Sequence, residues 1–335
     1  MKKLRIVGLF AGMAAIVLIL NMVVDPVALS RAKRVNNRNR NYAGILATEE
    51  KMDVLIFGDS ESYTSVSPLQ LWQEHGIPAY NGGVQGQCLA ETWSEMSTVL
   101  KHQHPKVILM ETCMLFRYHG IEKDSQMVLA EHLYEALPGL RYHSFWKSVF
   151  YTDHDKRKEN DWQKGFHLVS GIGGPVDANR EEDSKKEAKM AKLNRWYLDR
   201  LIALCKENDI RLVLYSAPSP RNYTPARLDF LDMLVQEKGL DYINMNTAEE
   251  EIGLDWSVDS YDGGDHLNLS GAQKVTTYIG DKLAQEYQLP DRSGEEEYRQ
   301  WNQDAEEYAK RVKKTKKKWK KNKKAAGTIG EGVNP

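Results

Sequence analysis

A serine lies where a short apolar segment ends. Val54 to Phe57 has the length and composition of a buried strand, and Gly58-Asp59-Ser60 follows it directly. If a helix begins at this point, the Ser60 hydroxyl lies beside unpaired N–H groups that can stabilise a developing negative charge. Two roles are open for Ser60 from this pattern: a nucleophile, or a residue that only caps the helix.

A second group of polar residues lies before the last amphipathic segment of the globular region. It reads Asp262-Gly263-Gly264-Asp265-His266. A histidine can take the proton of a serine hydroxyl, and a carboxylate can fix its tautomer and stabilise the imidazolium. Because Ser60 and His266 are far apart in the sequence, only the fold can bring them together. The alternative is a histidine on a surface loop.

The segments that must position these residues alternate between strand and helix patterns. Short apolar strands are predicted at 53–57, 77–80, 107–110, 212–215 and 242–243, with helical segments between them. This alternation predicts an α/β fold, a flavodoxin-like parallel sheet in three layers. Ligands bind such sheets at the carboxyl ends of the strands, where Ser60 lies.

The ends of the chain differ from this central region. Ile6 to Val24 is almost wholly apolar and long enough to cross a ~30 Å hydrocarbon core as a helix. Basic residues flank it on both sides and are more numerous after it, so a plain count favours a cytoplasmic domain, although large domains can be exported despite such charge. We expect a single-pass anchor in the cell membrane and an extracytoplasmic globular domain. The predicted regions are a transmembrane helix (1–25), a linker (26–50), an α/β domain (51–290) with an insertion or cap (116–185), and a charged helix with a basic tail (291–335).

The net charge of −1 conceals a strongly basic segment. Lys310 to Lys324 is rich in lysine and contains no acidic residue. The composition predicts a solvated helix, and the lysines could remain solvated or bind anionic lipid or an anionic wall polymer. Nucleic acid is not an expected partner, because the anchor would place this segment outside the cytoplasm.

Three blocks of the sequence resemble the SGNH/GDSL hydrolase superfamily. They are Gly58-Asp59-Ser60, then Asn81-x-Gly83-x-x-Gly86, and Asp262-Gly-Gly-Asp-His-Leu-Asn268 before the last helix of the domain. The resemblance covers about 50–288 and is greatest to the membrane-anchored bacterial branch, similar to proteins of cell-envelope D-alanylation and O-acetylation. It implies that Ser60 is the nucleophile and His266 the base. Gly86 and Ser60 would donate backbone N–H groups to the oxyanion.

The sequence departs from the family pattern at two positions. The family's aspartate lies three residues before the histidine, where this chain has Gly263; Asp262 lies one place further back, and Asp265 is the alternative partner. The block after the third strand normally supplies an oxyanion asparagine, but Met110 to Cys113 contains none. A substitute donor such as Gln85, a weakened oxyanion hole and lost activity are all compatible with this sequence.

The resemblance implies a serine esterase or O-acyltransferase that forms an acyl-serine intermediate. Its substrate would be an acylated cell-envelope polysaccharide or a teichoic-type polymer, and its partner a multi-pass membrane O-acyltransferase. The alternative is a catalytically impaired binding or assembly module with the same fold. No cofactor or metal is expected, since the three cysteines lack the spacing of a metal site.

Overall fold

The computed structural model describes residues 2–23, 37–137, 140, 163–173 and 188–330. Most of the predicted insertion lies outside these residues. The described part of it includes a segment at 163–173, which we call the strap. Strands and helices are numbered below in chain order over the described residues.

Five parallel strands form one sheet. Their order is β2-β1-β3-β4-β5, and every neighbouring pair is parallel. This is the flavodoxin-like order, so the predicted fold class is confirmed. The strands are β1 (Val54–Phe57), β2 (Ala79–Asn81), β3 (Val107–Glu111), β4 (Arg211–Ser216) and β5 (Asp241–Asn244).

Helices cover both faces of the sheet. Alternate side chains of a strand point to opposite faces, so Leu55 and Phe57 enter one apolar cluster while Val54 and Ile56 enter the other. The helices are α1 (Lys2–Val23), α2 (Asn37–Ala47), α3 (Ser60–Ser65), α4 (Pro68–His75), α5 (Leu89–Val99), α6 (Ile121–Ala136), α7 (Lys192–Glu207), α8 (Pro225–Lys238), α9 (Glu249–Ile252), α10 (Leu269–Gln285) and α11 (Arg299–Gly330).

Helix α2 lies in the region predicted to be a linker. Its residues Ala43 and Ile45 are buried in the domain. The Asn41 side chain donates a hydrogen bond of 2.6 Å to the carbonyl of Gly83, next to the candidate site. The structure therefore corrects the linker expectation for residues 37–47. They form a helix whose few apolar side chains, although they follow arginines and asparagines in the sequence, pack into the core of the domain.

Helix α11 is partly a core element, whereas the sequence predicted a solvated helix. Trp301 and Tyr308 are fully buried, and the Trp301 ring packs against Trp72 at 5.6 Å between centroids. A buried ion pair joins Asp304 to Lys164 of the strap, with 3.3 Å between Oδ2 and Nζ. The apolar residues recur at helical spacing, but the surrounding charge obscures this pattern in the sequence.

The strap links several distant segments. Its hydrogen bonds join α3, α10 and α11 to the same short stretch of backbone. They run from the His167 N–H to the Tyr63 carbonyl (2.8 Å), from the Leu269 N–H to the Val169 carbonyl (2.8 Å), and from Trp319 Nε1 to the Ser170 carbonyl (2.6 Å). The strap is therefore packed between the turn that bears Ser60 and the C-terminal helix.

Helix α1 is long and apolar enough to cross a membrane. The segment Arg5–Met22 of this helix has a mean hydropathy of 2.0 and is not buried against the rest of the described structure. By length and composition, these properties fit the predicted single-pass helix.

Replacement of Trp301 by alanine tests whether α11 belongs to the core. W301A should lower the free energy of unfolding by about 3–5 kcal/mol, because it removes a fully buried indole and leaves a cavity. W196A is the matched control, since the Trp196 side chain is 47% exposed and should cost much less. Chemical denaturation measures both, and equal losses would contradict a core role for α11.

Candidate active site

Ser60 is the first residue of α3 at the carboxyl end of β1. The cap of this helix is Asp59, whose Oδ1 accepts a 3.1 Å hydrogen bond from the Glu61 N–H. The capping role that the sequence left open for Ser60 is thus taken by its neighbour. Ser60 is partly exposed, and its hydroxyl makes no hydrogen bond to any described residue.

Gly58 allows this turn to approach β3 closely. A Cβ atom at Gly58 would lie 2.5 Å from the Cβ of Glu111 and 2.8 Å from that of Ser62. Both distances are below normal contact, so any side chain at this position would push α3 away from the sheet. The glycine therefore holds the Ser60 turn against the end of β3.

Asn81 connects the second block to the Ser60 helix. It is fully buried; its Nδ2 donates to the carbonyls of Ser62 (2.9 Å) and Val66 (3.1 Å), and its Oδ1 accepts from the Gly83 N–H (3.0 Å). Asn81 therefore fixes the loop leading to Gly86. Within the described structure, the backbone N–H groups of Ser60 and Gly86 have no hydrogen-bond partner, so both can donate to a bound oxyanion.

His266 forms a hydrogen-bonded pair with Asp262. Nδ1 of the ring lies 2.6 Å from Oδ2 of Asp262, and the His266 backbone N–H donates to Oδ1 at 2.8 Å. Asp265 Oδ2 is 3.7 Å from Nδ1. Gly263 and Gly264 adopt positive φ angles of 75° and 89°, which lets the loop fold back so that an aspartate four residues away reaches the ring. Of the two predicted carboxylates, Asp262 makes the closer contact.

Glu61 lies beside the other nitrogen of His266, and sequence reasoning did not identify it. Its Oε1 is 4.0 Å from His266 Nε2. Asn222 donates from Nδ2 to this carboxyl and to Oδ1 of Asp265 (2.7 Å). Burial raises the pKa of Glu61 well above its usual range, and the charges of Asp59 and Glu111 raise it further. The only sequence signal was an acidic residue directly after the candidate nucleophile.

Glu111 occupies the end of β3, at the position where the resemblance noted in the sequence implies an asparagine. Its Oε2 accepts a 2.7 Å hydrogen bond from the Cys113 N–H, and its Oε1 accepts one from the Tyr223 hydroxyl. Burial, with a further contribution from Asp59, raises the pKa of this carboxyl to about 8. Glu111 is therefore a buried carboxyl beneath the Ser60 turn, and neighbouring donors engage both of its oxygens.

Gln85, the substitute donor considered from the sequence, has an exposed side chain. A different group lies beside Gly86: Nη1 of Arg117 is 4.0 Å from the position that a Cβ on Gly86 would take. Arg117 also pairs through Nη2 with Oδ2 of Asp59. Its only sequence signal was a basic residue shortly after the third strand.

Two groups of described residues bring potential metal ligands within 4.8 Å of one another. They are Asp59 with Glu111 and Cys113, and Glu61 with Asp265 and His266. Their carboxylate oxygens already receive hydrogen bonds from neighbouring protein donors. These contacts favour a protein hydrogen-bond network over a metal centre at either position.

Glu111 should make the stability of the protein depend on pH. Its pKa is about 8 when folded and about 4.5 when unfolded. Below the pKa of the unfolded chain, Glu111 is neutral in both states and folding buries no charge. This contribution to stability is lost as the pH rises through 8. E111Q should lack this loss, so its melting temperature relative to wild type should increase between pH 5 and pH 9. The exposed-site variant E207Q should show no such trend, and parallel wild-type and E111Q curves would contradict the assignment.

No protein-family model and no curated protein matches the sequence. Among solved structures, a proposed acylhydrolase from Bacteroides fragilis aligns with a TM-score of 0.40 and 10% identity, covering 76% of this chain and 99% of that one. A gut microbial diltiazem-metabolizing enzyme aligns with a TM-score of 0.33 and 10% identity, covering 70% of this chain and 48% of its own. Both similarities are distant.

Proposed function

We propose that this protein is a serine esterase or O-acyltransferase of the SGNH type. The observation that carries the proposal is the His266–Asp262 pair, which lies next to the N-terminus of the helix that begins with Ser60. Nδ1 of the imidazole is held by a carboxylate, and Nε2 faces the Ser60–Glu61 segment at 4.0 Å from Glu61. A serine, a base oriented by an acid, and two unpaired backbone donors are the groups that acyl transfer requires.

The residues perform the reaction in two steps. Ser60 Oγ attacks the ester carbonyl carbon as its proton passes to His266 Nε2, and the carbonyl electron pair moves onto oxygen. The tetrahedral intermediate collapses, the C–O bond of the ester breaks, and His266 protonates the leaving alcohol. Water or an acceptor hydroxyl then gives its proton to Nε2 and attacks the acyl-serine carbonyl carbon. The bond from that carbon to Ser60 Oγ breaks, and Oγ takes the proton back from His266.

A cell-envelope setting is part of the proposal. An apolar helix at the N-terminus would anchor the chain by a single span, with the domain on the extracytoplasmic side. The substrate class that fits this position is an acylated polysaccharide or teichoic-type polymer. The resemblance of the sequence blocks supports cooperation with a multi-pass membrane O-acyltransferase.

The basic part of α11 is available for an anionic partner. Lys313, Lys314, Lys316, Lys317 and Lys318 are exposed, and none of them pairs with a carboxylate within the described residues. Several of them border a groove of about 520 Å³ between α11 and the α4–α10 face, whose floor includes apolar atoms. Anionic lipid headgroups or an anionic polymer are both compatible with this surface.

A non-catalytic binding or assembly module is the second candidate. Two features favour it: Glu111 lies at the block where an oxyanion asparagine is expected, and the Ser60 hydroxyl makes no hydrogen bond to His266.

Labelling with a fluorophosphonate separates the two candidates. The wild-type protein in detergent should be labelled at Ser60, because its hydroxyl is activated by His266, and S60A should not be labelled. S60A should also abolish hydrolysis of a short-chain nitrophenyl ester, while S62A, which alters a buried neighbouring serine, serves as the control. Undiminished turnover by S60A would remove Ser60 from the mechanism, and absence of labelling in the wild type would favour the binding module.

The two aspartates of the loop should differ in their effect on turnover. D262N should lower kcat for the same ester by about 10²–10⁴-fold, because Asn cannot stabilise the imidazolium or enforce its tautomer. D265N should lower kcat by less than about tenfold, since Asp265 lies 3.7 Å from Nδ1 and mainly contacts Asn222. Steady-state kinetics measures both, and the reverse order would identify Asp265 as the orienting acid.

A further inference from the structure

Arg117 lies beside both elements that bear the predicted oxyanion donors. Its Nη2 is bonded to Oδ2 of Asp59, the residue directly before Ser60. Its Nη1 is 4.0 Å from the Cβ position at Gly86. The guanidinium therefore lies between the Ser60 turn and the Gly86 loop, on the side of the site where the family's asparagine is missing.

The position of Arg117 is fixed from two directions. Asp59 is almost fully buried, and its second oxygen caps α3, so one carboxylate holds both the nucleophile helix and the guanidinium. The backbone of Arg117 is held by Asn194 of α7, whose Nδ2 donates 2.8 Å and 2.9 Å hydrogen bonds to the carbonyls of Arg117 and Leu115. A donor held in this way pays little reorganisation when charge develops nearby.

Arg117 also has N–H groups that no described residue accepts. A guanidinium carries five N–H groups, and the described residues engage it through the Asp59 contact. Nε is buried and has no hydrogen-bond partner among the described residues, and the side chain as a whole remains 31% exposed. Burial lowers the pKa of the guanidinium but the carboxylate of Asp59 raises it more, so the group remains charged.

We propose that Arg117 is a catalytic residue that completes the oxyanion hole in place of the missing asparagine. This inference rests on the proposed function. As Ser60 Oγ bonds to the carbonyl carbon and its proton moves to His266, the carbonyl oxygen becomes negative. It then accepts hydrogen bonds from the Ser60 and Gly86 N–H groups and from an unused N–H of Arg117.

Glu111 and Gln85 are less suited to this role. The Glu111 carboxyl is fully buried and both of its oxygens are already engaged, by the Cys113 N–H and the Tyr223 hydroxyl, so it is not turned toward a bound substrate. Gln85 is exposed. Arg117 is the described cationic side chain that combines proximity to Gly86 with a rigid connection to the nucleophile turn.

Kinetics of position-117 variants test the inference. R117K keeps a cation for Asp59 but loses the planar fork, and it should lower kcat for a nitrophenyl ester at least tenfold with KM changed less than about threefold. R117A should lower kcat about 10²–10³-fold, and millimolar guanidinium chloride should restore part of this loss. Q85A and R195A should retain kcat within about twofold, since Arg195 pairs with Glu237 on a remote surface.

The possible failures can be distinguished. If S60A keeps its turnover, the proposed function fails whatever the result at position 117. If S60A is inactive but R117K retains full kcat, Arg117 is not part of the oxyanion hole. A loss in R117A that guanidinium does not rescue, together with an unchanged kcat in R117K, shows a structural role through Asp59 and overturns the inference.

Discussion

The carboxylate of Asp59 is the contact on which the rest of the site depends. One of its oxygens caps α3, and the other binds Arg117. Its backbone carbonyl accepts hydrogen bonds from the N–H and the hydroxyl of Ser62. Removing this carboxylate would release the start of α3 and the guanidinium together, leaving Arg117 without its buried counter-charge. The second residue of the Gly-Asp-Ser block thus does structural work that the serine alone cannot do.

Negative charge is concentrated around this contact. The carboxyl groups of Asp59, Glu61 and Glu111 are all buried at the carboxyl ends of the strands. Burial, together with repulsion from neighbouring carboxylates, raises the pKa of Glu61 and of Glu111. A neutral Glu111 and a shared amide at Asn222 relieve part of this repulsion. Such an arrangement disfavours further negative charge near the carboxyls and favours it near Arg117 and the N-terminus of α3.

The sequence predicted the sheet and the contact between His266 and Asp262 because both leave local signals. Strands show as short apolar runs, and Asp262 and His266 lie in one glycine-rich loop. Arg117 and Glu61 were not predicted, since their roles come from contacts between segments that no spacing reveals. Trp301 and Ile45 were missed for another reason: apolar residues diluted by lysine, arginine or asparagine do not raise the average hydropathy of their segments, although their helical spacing buries them.

The two ends of the α/β domain are joined directly. Arg292 Nε lies 2.5 Å from Oδ2 of Asp53 at the start of β1, and the Tyr298 hydroxyl donates a 2.7 Å hydrogen bond to the Lys51 carbonyl. These contacts span more than 230 positions of the sequence. The first strand therefore cannot reach its final packing until residues near 300 have left the ribosome, which makes this domain a late and non-local folder. A chain whose anchor enters a membrane before its domain is complete would remain open for most of its synthesis.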